Sequence, residues 1–208
     1  MNTSARANFL SDPRFSALRP ALQEHLAKIS VAISPENFRS ICDPEVLDIL
    51  QSAFDRVSAD EGSIWLLDAE KQHLVVSYNS GPDAEKIVGF KQPVNQGLIS
   101  LVVAAEQGLA ENLVFKHAKH SPLLDQKIGK TTYAMIAVPF YFLNEVRGVI
   151  SCVQLVEAKL DAGQIVPIEN TPAGFGPEDL TIIQTAAAIV TRLIDFRLLA
   201  TTVGWNRQ

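Results

Sequence analysis

The segment from Thr131 to Val156 constrains the fold most strongly. Two apolar runs rich in β-branched and aromatic residues, 131–143 and 148–156, are separated by breakers around Asn144-Glu145. That pattern predicts a strand, a turn and a second strand beginning at Gly148. About twenty residues later Phe175 to Asp179 opens a long apolar helix that runs nearly to the C-terminus. This order, a buried hairpin and then a closing helix, points away from most enzyme folds.

Composition limits the partners. With 47% hydrophobic and 20% charged residues the chain can bury a sizeable core. A net charge of -5 leaves no basic field for nucleic acid or an anionic membrane surface. Met1 to Leu10 lacks the apolar stretch of a signal peptide, and the runs 98–105 and 134–143 are too short to span a bilayer. Cys42 and Cys152 are the only cysteines, which gives no disulfide framework and predicts a cytoplasmic protein.

The chain divides into an N-terminal helical extension (1–41), a main domain (42–200) and a short tail (201–208). Phe15, Leu18, Leu22, Leu26 and Ile29 recur at helical spacing, with Pro13 and Pro20 flanking or interrupting that helix and Pro35 ending the segment. A helix over 43–58 is marked by a capping Asp43, Pro44 at its first position and Glu45 at its positive end. Residues 63–68 and 73–78 form a second hairpin. Residues 81–96 read as a loop, 97–105 as a short helix ended near Gly108, and 109–130 as mostly irregular apart from a helical turn at 123–128. A long loop over 157–176 precedes the last helix, whose stripe is Leu180, Ile183, Ala187, Val190, Ile194 and Leu198.

In that order the elements resemble the GAF domain, a small-molecule sensing module. The landmarks are Gly62 to Asp68, Gly97 to Ile99, Ala137 to Pro139, Val146 to Ile150 and Phe175 to Leu180, and the resemblance covers roughly Cys42 to Leu199. It implies an α+β fold with a central antiparallel sheet, the terminal helices on one face and a ligand pocket on the other. It also implies a homodimer through helices 43–58 and 177–199 and a role in signalling. No output domain fits in the chain, so it is expected to act as a stand-alone sensor, as part of a larger protein or through a signalling partner protein.

By analogy the pocket candidates are Phe90, Asn112, Phe115, His117, Leu124, Asp125, Thr132 and Ala134. Aromatic and aliphatic walls with a few polar groups suit a small organic ligand. Lys116, His117, Lys119 and His120 concentrate positive charge that would favour a small anion or a nucleotide at the rim. His117 and His120 lack the further ligands a metal needs, so no metal or cofactor is expected. A cyclic-nucleotide subset of the family carries an Asn-Lys pair and then Phe, three residues and Asp-Glu. Phe175 and Asp179 match, Leu180 replaces the Glu, and the Asn-Lys pair is absent from 154–157, leaving a cyclic-nucleotide sensor as the weaker alternative. The enzymatic and chromophore-attaching branches need loop cysteines that are missing here, and no serine nucleophile has an elbow or a base. The expectation is a non-catalytic sensor. The rival is a pure dimerisation or interaction module whose pocket has collapsed.

Overall fold

A computed structural model describes Ser16, residues 19–166 and residues 171–202. Pro13, Phe15, Leu18, Pro167 and the tail from residue 203 lie outside the described residues.

Helix α1 (Arg19–Ala32) begins one residue before Pro20, so this proline occupies the first turn, where its missing N–H costs nothing, and does not interrupt the helix. A 3-10 turn at Phe38–Ser40 leads to α2 (Pro44–Arg56). Strands β1 (Glu61–Leu67) and β2 (His73–Asn79) form the first hairpin. Within the expected loop 81–96 the chain makes a short helix α3 (Ala84–Ile87) and a three-residue strand β3 (Lys91–Pro93). Helix α4 (Gly97–Ala105) follows as predicted. Strand β4 (Leu109–Asn112) and a 3-10 turn at Val114–Lys116 order part of the segment expected to be irregular, before α5 (Leu123–Ile128). The long hairpin is β5 (Thr131–Phe142) and β6 (Glu145–Val156), and α6 (Pro177–Thr202) closes the fold.

The six strands run in the order β3-β2-β1-β6-β5-β4, with every neighbouring pair antiparallel. Both faces of the sheet are covered, which explains why 131–142 reads as an almost continuous apolar run where a strand with one wet face would alternate. One face meets α1, α2 and α6 through Ile64, Leu66, Ile136, Val138, Ile150 and Cys152. The other face, with Trp65, Leu74, Val76, Ala137 and Val149, is covered by α3, α4 and α5. Pro139 lies beyond Ala137, the last residue of β5 that β4 pairs, so the N–H it lacks is not needed on that edge.

The N-terminal segment joins this core. Phe38 is fully buried, edge-on to Phe140 at 6.1 Å and tilted over Phe142 at 5.8 Å. The expected stripe of α6 is the buried one: Ile183, Ala187, Val190, Ile194 and Leu198 all face inward. The opposite flank exposes Ile189, Leu193 and Phe196 by 45%, 36% and 60%, spaced four and three residues apart on one stripe.

The β5–β6 turn is tighter than the breakers suggest, and β6 starts at Glu145, three residues before Gly148. Leu143 and Asn144 both take positive φ, 51° and 68°, as a two-residue hairpin turn of mirror-image type demands. Asn tolerates that backbone and Leu does not, so the turn needs outside help. Asp195 of α6 supplies it by accepting a bond from the Leu143 N–H at 2.8 Å. Burial pushes the Asp195 carboxyl above its ordinary value, with the Leu143 bond opposing. A folded-state value above the unfolded one means that folding takes up a proton. The contribution to stability therefore declines as pH rises through that raised value, and at neutral pH the charge is a net burden. Asp195→Asn, which keeps the acceptor without the charge, is expected to be at least as stable as the native chain at pH 7. Asp195→Ala should lose about 1 kcal/mol through the orphaned N–H. Urea denaturation of both variants checks this; an Asn variant weaker than the Ala variant would contradict it.

Candidate functional site

A partly open cavity of about 50 Å³ lies between the sheet and the α4–α5 cover. Its floor is built by alternation. Glu61, Ser63 and Trp65 of β1 point to this side, as do Ser151, Val153 and Leu155 of β6, while the residues between them face the helices. The first turn of α4 (Gly97 to Ile99), His120, Ser121 and the α5 residues Leu124, Asp125 and Ile128 form the roof and wall.

Its polar groups are mostly engaged with one another. Trp65 Nε1 donates to Ser151 Oγ at 3.1 Å, and Asn79 Nδ2 donates to Ser63 Oγ at 3.0 Å. Gln92, 4% exposed, donates from Nε2 to the Gln96 carbonyl at 2.9 Å. Asp125 is the hub at one end. It accepts from the Thr132 N–H at 2.9 Å and from Thr132 Oγ1 at 2.7 Å, and its Oδ2 stands 3.1 Å from His120 Nε2. Glu61 sits at the other end, 5% exposed. Burial pushes its carboxyl up, opposed by the charge of Lys130 and a hydrogen bond with Asn79. Gly81 leaves room for this carboxylate, since a Cβ there would stand 1.9 Å from Glu61 Oε2.

Of the residues expected at the pocket, Leu124, Asp125 and Thr132 meet at the cavity. Ala134 does not, because a bulge between Thr132 and Ala134 resets the alternation. Ala134 is thereby turned into the helix-side core, and Met135 takes the cavity position. Asn112, directly opposite Ala134 on β4, turns the same way and brackets Phe175 with two bonds: Nδ2 to its carbonyl at 3.1 Å and its N–H to Oδ1 at 2.9 Å. Phe115 also lies on the helix side, with its ring 6.3 Å from Tyr133. Phe90 packs edge-on against Trp65 at 6.2 Å behind the cavity wall. His117 accepts the Lys119 N–H at 3.1 Å outside the cavity, and Lys116 lies over the Phe115 ring. The basic cluster is therefore dispersed, and only His120 reaches the cavity.

Glu61, Ser63, Trp65 and Ser151 were not singled out from the sequence as site residues. A signal is present for Ser63 and Ser151, polar side chains inside largely apolar strands, whereas Glu61 follows Asp60 in a polar stretch at the start of β1. Phe175 and Asp179 have structural roles. Phe175 is buried on the helix side, and Asp179 Oδ2 accepts the Gly176 N–H at 2.8 Å to close the start of α6.

Both thiols lie in the helix-side core, away from the cavity, and burial pushes each up to about 12. Iodoacetamide at pH 8 is expected to leave Cys42 and Cys152 unmodified in the folded protein, and to alkylate both once guanidinium is added. Intact-mass measurement reads the outcome, and a native adduct at either cysteine would count against it.

The architecture matches solved GAF domains. The GAF domain from Acinetobacter phosphoenolpyruvate-protein phosphotransferase is 19% identical, with a TM-score of 0.55 over 89% of this chain and 98% of that one. The free methionine-R-sulfoxide reductase from Neisseria meningitidis, solved with its substrate, is 14% identical at a TM-score of 0.53, covering 90% and 95%. The second GAF domain of DevS from Mycobacterium smegmatis is 15% identical at 0.51, covering 72% and 89%. The chain therefore has the fold of a GAF domain. No protein-family model matches the chain, and no curated protein does. Among the described residues no helix is long and apolar enough to cross a membrane.

Proposed function

We propose that this chain is a non-catalytic sensor that binds a small polar ligand in the cavity and passes the signal to a second copy through its helical layer. The observation that carries the reading is the small cavity with buried polar groups on one face of a sheet whose other face bears α6 with an exposed apolar stripe. A GAF fold is consistent with sensing, and the neighbours include domains taken from larger proteins.

Cavity size limits the ligand. About 50 Å³ exceeds the ~10–15 Å³ that holds one water. It falls well short of the ~300–1,000 Å³ of sites for drug-sized molecules, which speaks against a nucleotide, cyclic or otherwise. The same small volume favours the second reading, an interaction module whose helices act without a ligand. Native mass spectrometry of freshly purified protein, with a thermal-shift panel of small metabolites, separates the two. A retained or stabilising small molecule is expected, worth about 2.7 kcal/mol at a hundredfold excess over its Kd. A dimer that retains nothing and responds to no compound would favour the interaction module.

A further inference from the structure

The polar groups around the cavity narrow the chemistry of its ligand, and the inference that follows rests on the sensor reading. We propose that the cavity takes a small primary amine, its ammonium group held by the Glu61 carboxylate. Three of the fixed side-chain donors at the floor and rim are already committed: Trp65 Nε1 to Ser151, Asn79 Nδ2 to Ser63 and Thr132 Oγ1 to Asp125. Ser63 and Ser151 accept two of those bonds and keep one hydroxyl donor each, while the cavity is lined by two carboxylates, Glu61 and Asp125. A carboxylate offers about four lone-pair sites, and Asp125 uses three with Thr132 and His120.

Glu61 makes no ion pair among the described residues. The nearest compensating charge is Lys130, whose Nζ lies 3.6 Å from Asp83 and 3.7 Å from Glu157. A buried carboxylate without a paired cation is costly, and a bound ammonium would offset that cost while offering three donors. Glu61 pairs across β1–β6 with Val153, and Thr132, which holds Asp125, pairs across β5–β6 with Leu155. The two acidic ends are thus separated by two strand spacings across the sheet and two residues along it, about 12 Å between backbones, with Val153 and Leu155 as an apolar floor for a short carbon skeleton. The first turn of α4 has no side-chain cap, and its N–H groups suit an acceptor on the same ligand, such as a hydroxyl.

The test uses three probes of nearly one shape at constant ionic strength: ethanolamine, ethylene glycol and glycolate. Calorimetry with the full chain at pH 7 should detect binding of ethanolamine alone. Glu61→Gln should weaken that binding at least tenfold while its urea midpoint stays at or above the native one, because it removes a buried charge and keeps the shape. Ethanolamine binding that Glu61→Gln leaves unchanged would overturn the assignment, as would tighter binding of ethylene glycol or glycolate. In the latter case the sensor reading stands and only the amine falls. If none of the three binds and native mass spectrometry finds no retained small molecule, both fall together.

Discussion

Gly148→Ala is expected to cost about 4 kcal/mol, at the upper end of what single substitutions do. Gly148 sits in β6 between Leu66 of β1 and Phe140 of β5, with a hydrogen-bonded strand on either side. A Cβ there would stand 1.8 Å from the Trp65 carbonyl oxygen and 3.0 Å from Leu66 Cα, both of them backbone atoms in the middle of the sheet. Neither can rotate away, so the strands must part, and the loss is a large share of the ~5–15 kcal/mol that holds a domain together. Gly62→Ala is the control. Its Cβ would meet the Phe54 ring at 2.1 Å, but a ring can turn where a carbonyl cannot, so a smaller loss is expected. Urea denaturation of the two variants decides it. A Gly148→Ala midpoint equal to the native one, or higher than that of Gly62→Ala, would show that the sheet yields more readily than this geometry allows.

Leu193→Glu with Phe196→Glu is expected to convert a homodimer into a folded monomer. α6 packs on β5, α2 and α1, and Ile189, Leu193 and Phe196 lie outside the buried core and expose an apolar stripe. A charge placed at the centre of the interface would be desolvated without a partner. Each should cost at least ~2 kcal/mol, about thirtyfold in dissociation constant. Sedimentation at tens of micromolar should read dimer for the native chain and monomer for the variant, with unchanged far-ultraviolet circular dichroism. A native chain that sediments as monomer there would remove the dimer.

Where the sequence carried strong periodicity, the structure follows it. The inward stripe of α6, the start of α2 at Pro44 and the apolar runs of β5 and β6 depend on side chains within one element, so local pattern suffices. Asp43 stands at the N-cap of α2, but its side chain makes no cap bond and pairs with Arg197 instead. β3 and β4 did not show themselves. Leu109 to Asn112 contains no β-branched residue, and this strand exists because β5 offers it an edge. The cavity divides in the same way. Leu124, Asp125 and Thr132 lie on or beside elements whose position the fold dictates. Ala134 is displaced by a bulge, and the destination of Phe115 depends on the path of the chain after β4, which no local pattern encodes. Ser63 and Ser151 lie among apolar neighbours that make them look like core, and Glu61 falls in Ala59 to Gly62, where the period changes from helix to strand, ahead of the strand read from Ser63.

Gln154 shows how tightly the two sides of the molecule are geared. Its neighbours Val153 and Leu155 form part of the cavity floor, while its own side chain passes to the helix side. There Nε2 donates to the Ser58 carbonyl at 3.2 Å, just past the end of α2, and Oε1 accepts the Gly174 N–H at 2.9 Å, just before α6 begins. A single strand residue thus clasps the end of one helix and the lead-in to the other. The cavity floor and both helix attachments therefore share one stretch of β6, with no linker between them.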